Sequence, residues 1–279
     1  MISVIIPTYN RGFCVCESIE SVLAQSHTDL EVIVVDDNSS DDTKNRVAQL
    51  SDQRIRYIRN DKNIGAGASR NAGAQAARGE LLAFQDSDDI WLKDKLLLQA
   101  HRLEETGADL CFCQFSRMEK VWPDTKYGEL IRQNEPYLFR ALLIEALIGT
   151  PTILVNKQSF DETGCFDASM CCFEDYEFTL RFARKHKICY LDELLCITRM
   201  LDSGVNNNMD EKFRARLSLF EKYFTDIKKL GIIPKWVNKM TYISQFCDMK
   251  QVVEGFTRIR DIMAIEKASS ENPEIKACR

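Results

Sequence analysis

The sequence predicts an α/β fold built on a central, mostly parallel sheet, and three observations carry that prediction. Short apolar runs alternate with helical patterns through the first hundred residues. The runs lie far enough apart in the chain for crossover helices, which parallel strands require. Acidic residues stand at the ends of the runs, where ligands of such sheets collect.

The elements follow in order. SVIIP reads as the first strand, and a helix around Ser18 to Gln25 repeats Ile19, Val22 and Leu23 on one face. LEVIVVD is the second strand. The helix after it opens at SSDDT, where Ser40 is placed to cap and Asp41 and Asp42 suit the positive helix end. RIRYIR alternates with period two, an Ala-rich helix runs from about Ala66 to Arg78 and stops at Gly79, and ELLAFQD is a further strand. From about Asp109 to Arg199 the pattern is mixed. DLCFCQF and TILVN read as strands, a helix lies near Tyr137 to Ile148, another starts near Glu174, and strands follow around ICYL and LLCIT. After Asn208 only helical signals remain, with Phe213, Leu217, Phe220 and Phe224 on one stripe. A boundary in the Asn-rich DSGVNNN divides a domain over 1–205 from two or three helices over 206–279, whose last residues, ASSENPEIKACR, read as frayed.

Composition limits the function classes. With 45% apolar and 28% charged residues in 279, the chain can bury a real core. Twelve Gly, six Pro and no fixed period exclude collagenous and repeat architectures. Lys and Arg number 37 against 42 Asp and Glu, so no nucleic-acid partner is implied. The charge is uneven: 14 basic against 10 acidic residues from Asn206 onward leave 23 against 32 before it. An acidic front suits a metal, and a basic tail suits either solvent or an anionic surface. Eleven cysteines are spread without a framework. Cys14/Cys16 and Cys111/Cys113 are each separated by one residue, which is closer than zinc pairs usually stand, so reduced thiols and no zinc are expected. No apolar run has membrane-span length, and MISVIIPTYN reads as a strand without a basic leader, so a cytoplasmic location is expected.

Four segments carry chemistry. Asp86-Ser87-Asp88-Asp89 follows a strand; alone it is an acidic turn, but a hard divalent cation binds through such carboxylates. Asp36-Asp37-Asn38-Ser39-Ser40 is a turn with a cap, or a carboxylate that accepts the imide N–H of uracil, with Tyr9 offering a flat face to the ring. Asn63 to Asn71 begins like a dinucleotide fingerprint but has Arg70 where the third Gly would stand and does not directly end a strand, which excludes a dehydrogenase. Arg70 there is a surface Arg or a group facing a donor's base or phosphates. In FEDYE, Glu174 and Asp175 are either acids favoured by the positive end of a helix or, for Asp175, a general base: Asp175, Phe178 and Phe182 fall on one helix face, which turns Asp175 inward and favours it over Glu174 for that role.

Taken together, SVIIPTYNR, EVIVVDDNSSDDT, NIGAGASRNAG, GELLAFQDSDDIWLKDKL, GCFD and FEDYEFTLRFA resemble the family 2 inverting glycosyltransferases of the GT-A fold, over about Ile2 to Arg199. The resemblance implies a GT-A catalytic domain with a helical extension. It implies Pro7, Thr8 and Tyr9 in the uracil-side loop, Asp37 reading the base, and Arg70 touching the donor. It also implies Asp86 facing the ribose, Asp88 as the metal ligand for Mn²⁺ or Mg²⁺, and Asp175 as the catalytic base. Trp91 and Gly149-Thr150-Pro151 are expected near the acceptor. The implied reaction moves glucose, galactose or an N-acetylhexosamine from a UDP-sugar to a saccharide hydroxyl, on a lipid-linked oligosaccharide of a surface polysaccharide. Peripheral contact with the inner face of the membrane, through the Phe213 stripe and the basic tail, is one reading of the C-terminal helices; packing of that stripe is the other. The family often places Arg-x-His after the last strand; here Leu201 stands where the His would be. That leaves three outcomes: water replaces a ligand, Asp202 substitutes, or the chain is a weakly active member or a non-catalytic one that binds a nucleotide-sugar or a partner enzyme. A sugar-phosphate nucleotidyltransferase is disfavoured because PTYNRGF is not its Gly-rich basic loop.

Overall fold

The computed structural model describes residues 1–117, 120–199 and 208–271, in two compact units, Met1–Gly204 and Val205–Arg279. The first unit contains β1 (Ile2–Thr8), β2 (Leu30–Asp36), β3 (Ile55–Arg59), β4 (Leu81–Phe84), β5 (Ile90–Trp91), β6 (Leu110–Arg117), β7 (Lys120–Trp122), β8 (Leu154–Asn156) and β9 (Ile188–Thr198). Its helices are α1 (Val15–Leu23), α2 (Thr43–Ala48), α3 (Ala66–Ala76), α4 (Lys95–Thr106), α5 (Thr125–Asn134), α6 (Phe139–Ile144), α7 (Lys157–Thr163) and α8 (Glu174–Phe182), with a 3-10 turn at Thr150–Thr152.

The sheet order is β3-β2-β1-β4-β8-β6-β9-β5, with β7 paired to β6. Its first four strands are parallel. Every residue of β1 and β2 is buried, as expected of parallel strands covered on both faces. Beyond β4 the sheet is mixed: β8 runs antiparallel to β4 and β6, β6 is parallel to β9, and β5 is antiparallel to β9. Apolar runs report burial and not direction, which is why the sequence suggests a more uniformly parallel sheet.

Pro7 marks where the central pairing ends. The Ile5 carbonyl accepts the Gln85 N–H at 3.0 Å, and β4 pairs with β1 only over Ile2 to Ile5. In an extended strand Pro7 faces the same side as Ile5, past the end of β4, so its missing N–H breaks no ladder bond.

Four local expectations differ from the structure. Ser40 does not cap α2: Asp42 occupies the N-cap position, and the Ser40 N–H is given to Asn10 Oδ1 at 2.8 Å. ICYL and LLCIT belong to one strand, β9, whose exposed Asp192 and Glu193 interrupt the apolar run where its register with β6 shifts. The helix near Tyr137 is only α6, and α3 ends at Ala76. Cys111 and Cys113 are fully buried in β6, small core residues as their spacing suggests.

The second unit comprises α9 (Met209–Lys222), α10 (Phe224–Lys229), α11 (Ile233–Ser244) and α12 (Met249–Glu271). Phe213 and Phe220 are fully buried, Leu217 and Phe224 nearly so. Phe220 packs on Phe224 and Trp236, and Phe213 on Phe256. The stripe is therefore the core of this unit and is not available to a membrane surface. Among the described residues no helix is long and apolar enough to cross a membrane. Residues 202–207 of the Asn-rich boundary and 272–279 of the tail lie outside the described residues.

Candidate active site

Because β1, β2 and β4 are parallel, their carboxyl ends share one edge of the sheet, and the chemistry-bearing segments follow those ends. The first two segments are tied together. Asp37 donates its N–H to the Thr8 carbonyl at 2.8 Å, and Asn10 donates its N–H to Ser39 Oγ at 2.8 Å. Asn10 holds φ +53°, a left-handed conformation that Asn tolerates. Of the three expected uracil-side residues, Pro7 is buried in β1 and Tyr9 is 47% exposed beyond it. Thr8 lies between them, buried, and its Oγ1 has no hydrogen-bond partner among the described residues. Such an orphaned hydroxyl beside an exposed ring suits a polar ligand.

The two adjacent acids after β2 have separate tasks. Asp36 is fully buried and accepts from the Ser39 N–H, Tyr57 Oη and Arg59. Asp37 accepts from Asn60 Nδ2 at 2.8 Å, the Ile64 N–H at 2.9 Å and the Gly65 N–H at 2.8 Å. A carboxylate has about four acceptor positions, so one remains on Asp37.

Helix α3 is the hub of the site. Gly65, at φ +89°, leads into it. Ser69 accepts a second bond from Asn60 Nδ2, at 3.1 Å, which links the Asp37 loop to the helix. Arg70, 5% exposed, then extends one NH group to Asp86 Oδ1 at 2.7 Å and the other to Glu174 Oε1 at 2.6 Å. Asn71 exchanges two hydrogen bonds with the Phe166 backbone. Arg70 is thus buried between two carboxylates, which the expectation of an open donor contact does not include. Burial opposes its charge, and the two carboxylates more than offset that, leaving its pKa raised.

The DSDD segment divides similarly. Asp86 is engaged by Arg70. Asp88 lies partly buried, and burial together with the charge of Asp86 pushes its carboxyl pKa up, eased by Arg11 and Arg199. Asp89 is buried deeper and is pushed up to about 9, by burial first and then by Asp86; its Oδ1 accepts the Arg199 N–H at 2.9 Å.

At the N-terminus of α8, Phe178 and Phe182 are buried on the face that Asp175 shares, packed with Phe160 and Phe166. Asp175 Oδ2 accepts both the N–H and the hydroxyl of Thr150, each at 3.1 Å, and Oδ1 accepts the Tyr176 N–H at 2.7 Å. Its carboxyl is pushed up to about 6, by burial and then by Glu174, against the lowering effects of Arg70 and the backbone donors. A carboxylate ionised near neutrality with one acceptor position open is equipped to take a proton.

Of the predicted acids Asp37, Asp86, Asp88 and Asp175, the Asp86–Asp88 segment is joined to the start of α8 by one guanidinium, which bridges Asp86 and Glu174, the neighbour of Asp175. Asp37 joins them through Asn60, Ser69 and the first turns of α3. The role of Thr150 as the partner of Asp175 is not readable from the sequence, since 25 residues separate them. Trp91 is 3% exposed, with Nε1 bonded to the Pro151 carbonyl at 2.9 Å, so it lies against the Gly149-Thr150-Pro151 segment as a buried residue. Leu201 and Asp202, the residues of the altered Arg-x-His, lie outside the described residues.

The family resemblance implies a divalent cation. Among the described residues no three His, Cys, Asp or Glu side chains converge as a ready-made cage. Asp88 nevertheless fits: it is a hard oxygen donor, partly desolvated and repelled by Asp86. Mg²⁺ and Mn²⁺ are commonly held by one or two carboxylates with water and substrate phosphates completing the shell.

Comparison with known proteins adds the following. A model of "Glycosyl transferase family 2" matches residues 3–164. An uncharacterized glycosyltransferase of Rickettsia felis is 34% identical over 212 residues, 75% of this chain but only 34% of that protein, so the chain spans about a third of its length. A putative teichuronic acid biosynthesis glycosyltransferase, TuaG of Bacillus subtilis, is 30% identical over 75% of this chain and 82% of its own. WfgD of Escherichia coli, named a UDP-Glc:alpha-D-GlcNAc-diphosphoundecaprenol beta-1,3-glucosyltransferase, is 28% identical over 75% and 80%. Among solved structures, Staphylococcus aureus TarS 1-349 in complex with UDP-GlcNAc superposes with a TM-score of 0.74 at 21% identity, covering 91% of this chain and 79% of that one. The mannosyltransferase PcManGT of Pyrobaculum calidifontis, in complex with GDP-Man and Mn²⁺, gives 0.69 at 16% identity over 99% and 82%. These likenesses establish the fold.

Proposed function

Because the chain belongs to glycosyl transferase family 2, we propose that it transfers a sugar from a UDP-sugar to a saccharide hydroxyl with inversion at the anomeric carbon. The observation that carries this reading is the Arg70 guanidinium held between Asp86 and Glu174, which brings the donor-side acids to the base. Tyr9 stacks on the uracil and the open position of Asp37 accepts its imide N–H. Asp86, oriented by Arg70, takes a ribose hydroxyl. Asp88 is the protein ligand for Mn²⁺ or Mg²⁺, which when bound offsets negative charge on the departing diphosphate. Asp175 removes the proton of the acceptor hydroxyl as that oxygen bonds to the anomeric carbon and the bond from that carbon to the diphosphate breaks. A base placed this way contributes about 10²–10⁴-fold, with positioning and electrostatics supplying the rest.

The name of WfgD, with its diphosphoundecaprenol acceptor, and that of TuaG support a lipid-linked saccharide of a surface polysaccharide as acceptor, met from the cytoplasmic side. Membrane contact then falls to groups outside the buried stripe; Tyr242 and Phe246 are exposed at the end of α11. Flotation with anionic vesicles tests it, and absence of salt-sensitive association removes it.

The decisive experiment measures UDP release from a panel of UDP-sugars with lipid-linked acceptors. Asp175→Asn is expected to keep UDP affinity while turnover collapses by at least about 10²-fold. Turnover at the parent rate in that variant overturns the assignment of the base.

A further inference from the structure

Behind Asp175 lies a buried network that the proposed reaction leaves unused. Thr150 opens the 3-10 turn, and its N–H and hydroxyl both point to Asp175 Oδ2. The rest of that turn is pinned from elsewhere. Trp91 Nε1 donates to the Pro151 carbonyl at 2.9 Å, and Gln99 Nε2 donates to the Thr152 carbonyl at 2.8 Å and the Cys111 carbonyl at 3.0 Å. The Thr152 hydroxyl closes the turn on the Gly149 carbonyl at 2.7 Å.

The orientation of Gln99 is itself determined. Lys95 is fully buried, with Nζ 2.7 Å from Gln99 Oε1 and 3.9 Å from the centroid of the Trp91 ring. A lysine in this position donates to an acceptor, so the Gln99 carbonyl oxygen must face it, and the NH₂ must therefore face the two backbone carbonyls. A buried lysine is a costly residue, and burial drives the pKa of Lys95 down. Leu96 and Leu103 fill inward positions of the same helix with apolar groups, so nothing in the helix demands a polar side chain there.

We propose that Trp91, Lys95 and Gln99 are positioning residues for the catalytic base: they fix the Thr150–Thr152 turn, and Thr150 holds Asp175 with a single acceptor position free on Oδ1. The inference rests on Asp175 being the base. Around that carboxylate stand Glu174 on its own helix, Arg70 from α3 paired with Asp86 and Glu174, and the donors of Thr150 and Tyr176. Thr150 bonds the ionised form, so removing its hydroxyl raises the Asp175 pKa.

The test compares pH profiles of turnover for the parent, Thr150→Val, Thr150→Ser, Trp91→Phe and the double variant Trp91→Phe/Thr150→Val. In Thr150→Val the acid limb of kcat moves up by about one pH unit, turnover falls about fivefold at pH 6 and about tenfold at pH 5, and the KM for the UDP-sugar stays unchanged. Thr150→Ser restores the parent profile. Trp91→Phe, which keeps a ring over Lys95 but loses the N–H to Pro151, moves the limb the same way by less. In the double variant its added effect vanishes, since both act through one contact. A Thr150→Val profile that superimposes on the parent overturns the proposal, as does full additivity in the double variant. Asp175→Asn separates the two failures: its inactivity with an unshifted Thr150→Val profile overturns this inference alone, whereas its full activity overturns the base itself.

Discussion

In the proposed reaction, Asp175 and Arg70 are the single side chains that set the chemistry. With its carboxyl pushed up to about 6, Asp175 is ionised at neutral pH and protonated in mild acid. Only the ionised form can accept a proton, so turnover is expected to fall tenfold per pH unit below about 6, which a rate profile between pH 5 and 8 checks. The same shift weighs against the fold as pH rises. The folded state binds this proton more tightly than the unfolded chain, so the group's favourable contribution is complete below about 4 and is lost through about 6. Arg70 counters that cost. Arg70→Met leaves Asp86 and Glu174 facing each other without a cation, and Glu174 is only 13% exposed. Loss of stability on the order of 3 kcal/mol is expected in urea unfolding, with the acid limb of turnover displaced upward. None of this pairing is legible in the sequence. Arg70 lies 16 residues from Asp86 and 104 from Glu174, and a motif records residue types without recording which distant groups meet.

Among the elements, α3 carries most of the assembly. Its Ala-rich composition makes it readable as a helix, and its small residues explain how it approaches the sheet. A Cβ on Gly73 would lie 2.4 Å from Ile5 Cγ2 and 3.1 Å from Val35 Cγ2, so the helix sits directly on β1 and β2. Gly73→Ala is expected to destabilise by about 1–3 kcal/mol in denaturant titration and to weaken UDP binding, because displacing α3 displaces Ser69 and Arg70 together. The parallel half of the sheet was legible for a simple reason: β1 and β2 are buried along their whole length and read as unbroken apolar runs. The second half was less so. Asp192 and Glu193 split β9 into two apparent strands, and α4 escapes a pattern reading because Lys95 and Gln99 occupy positions where an amphipathic helix shows apolar residues.

At the scale of the whole molecule, the acids near the sheet edge are mostly compensated by the protein. Asp36 has Tyr57 and Arg59, Asp37 has an amide and two backbone N–H groups, and Asp86 has Arg70. The resemblance assigns the cation to Asp88, and the protein's own donors meet Asp36, Asp37 and Asp86. Calorimetric titration of UDP is therefore expected to tighten on adding Mn²⁺ and to weaken with a chelator, and Asp88→Ala is expected to abolish that difference. Equal affinities with and without Mn²⁺ in the parent would remove the metal from the proposal. The charge-poor Phe213 stripe, by contrast, is accounted for by its own unit, each unit having an independent core. Pro7 has a consequence on this scale. A sheet tends to keep zipping along any free backbone donor, and past Ile5 the central strand has no N–H to offer its shorter neighbour at that position. The limit of pairing beside β1 is thereby written into covalent structure: changes in the loop after β4 can alter its course, but they meet no amide at Pro7 to which a further strand bond could be made.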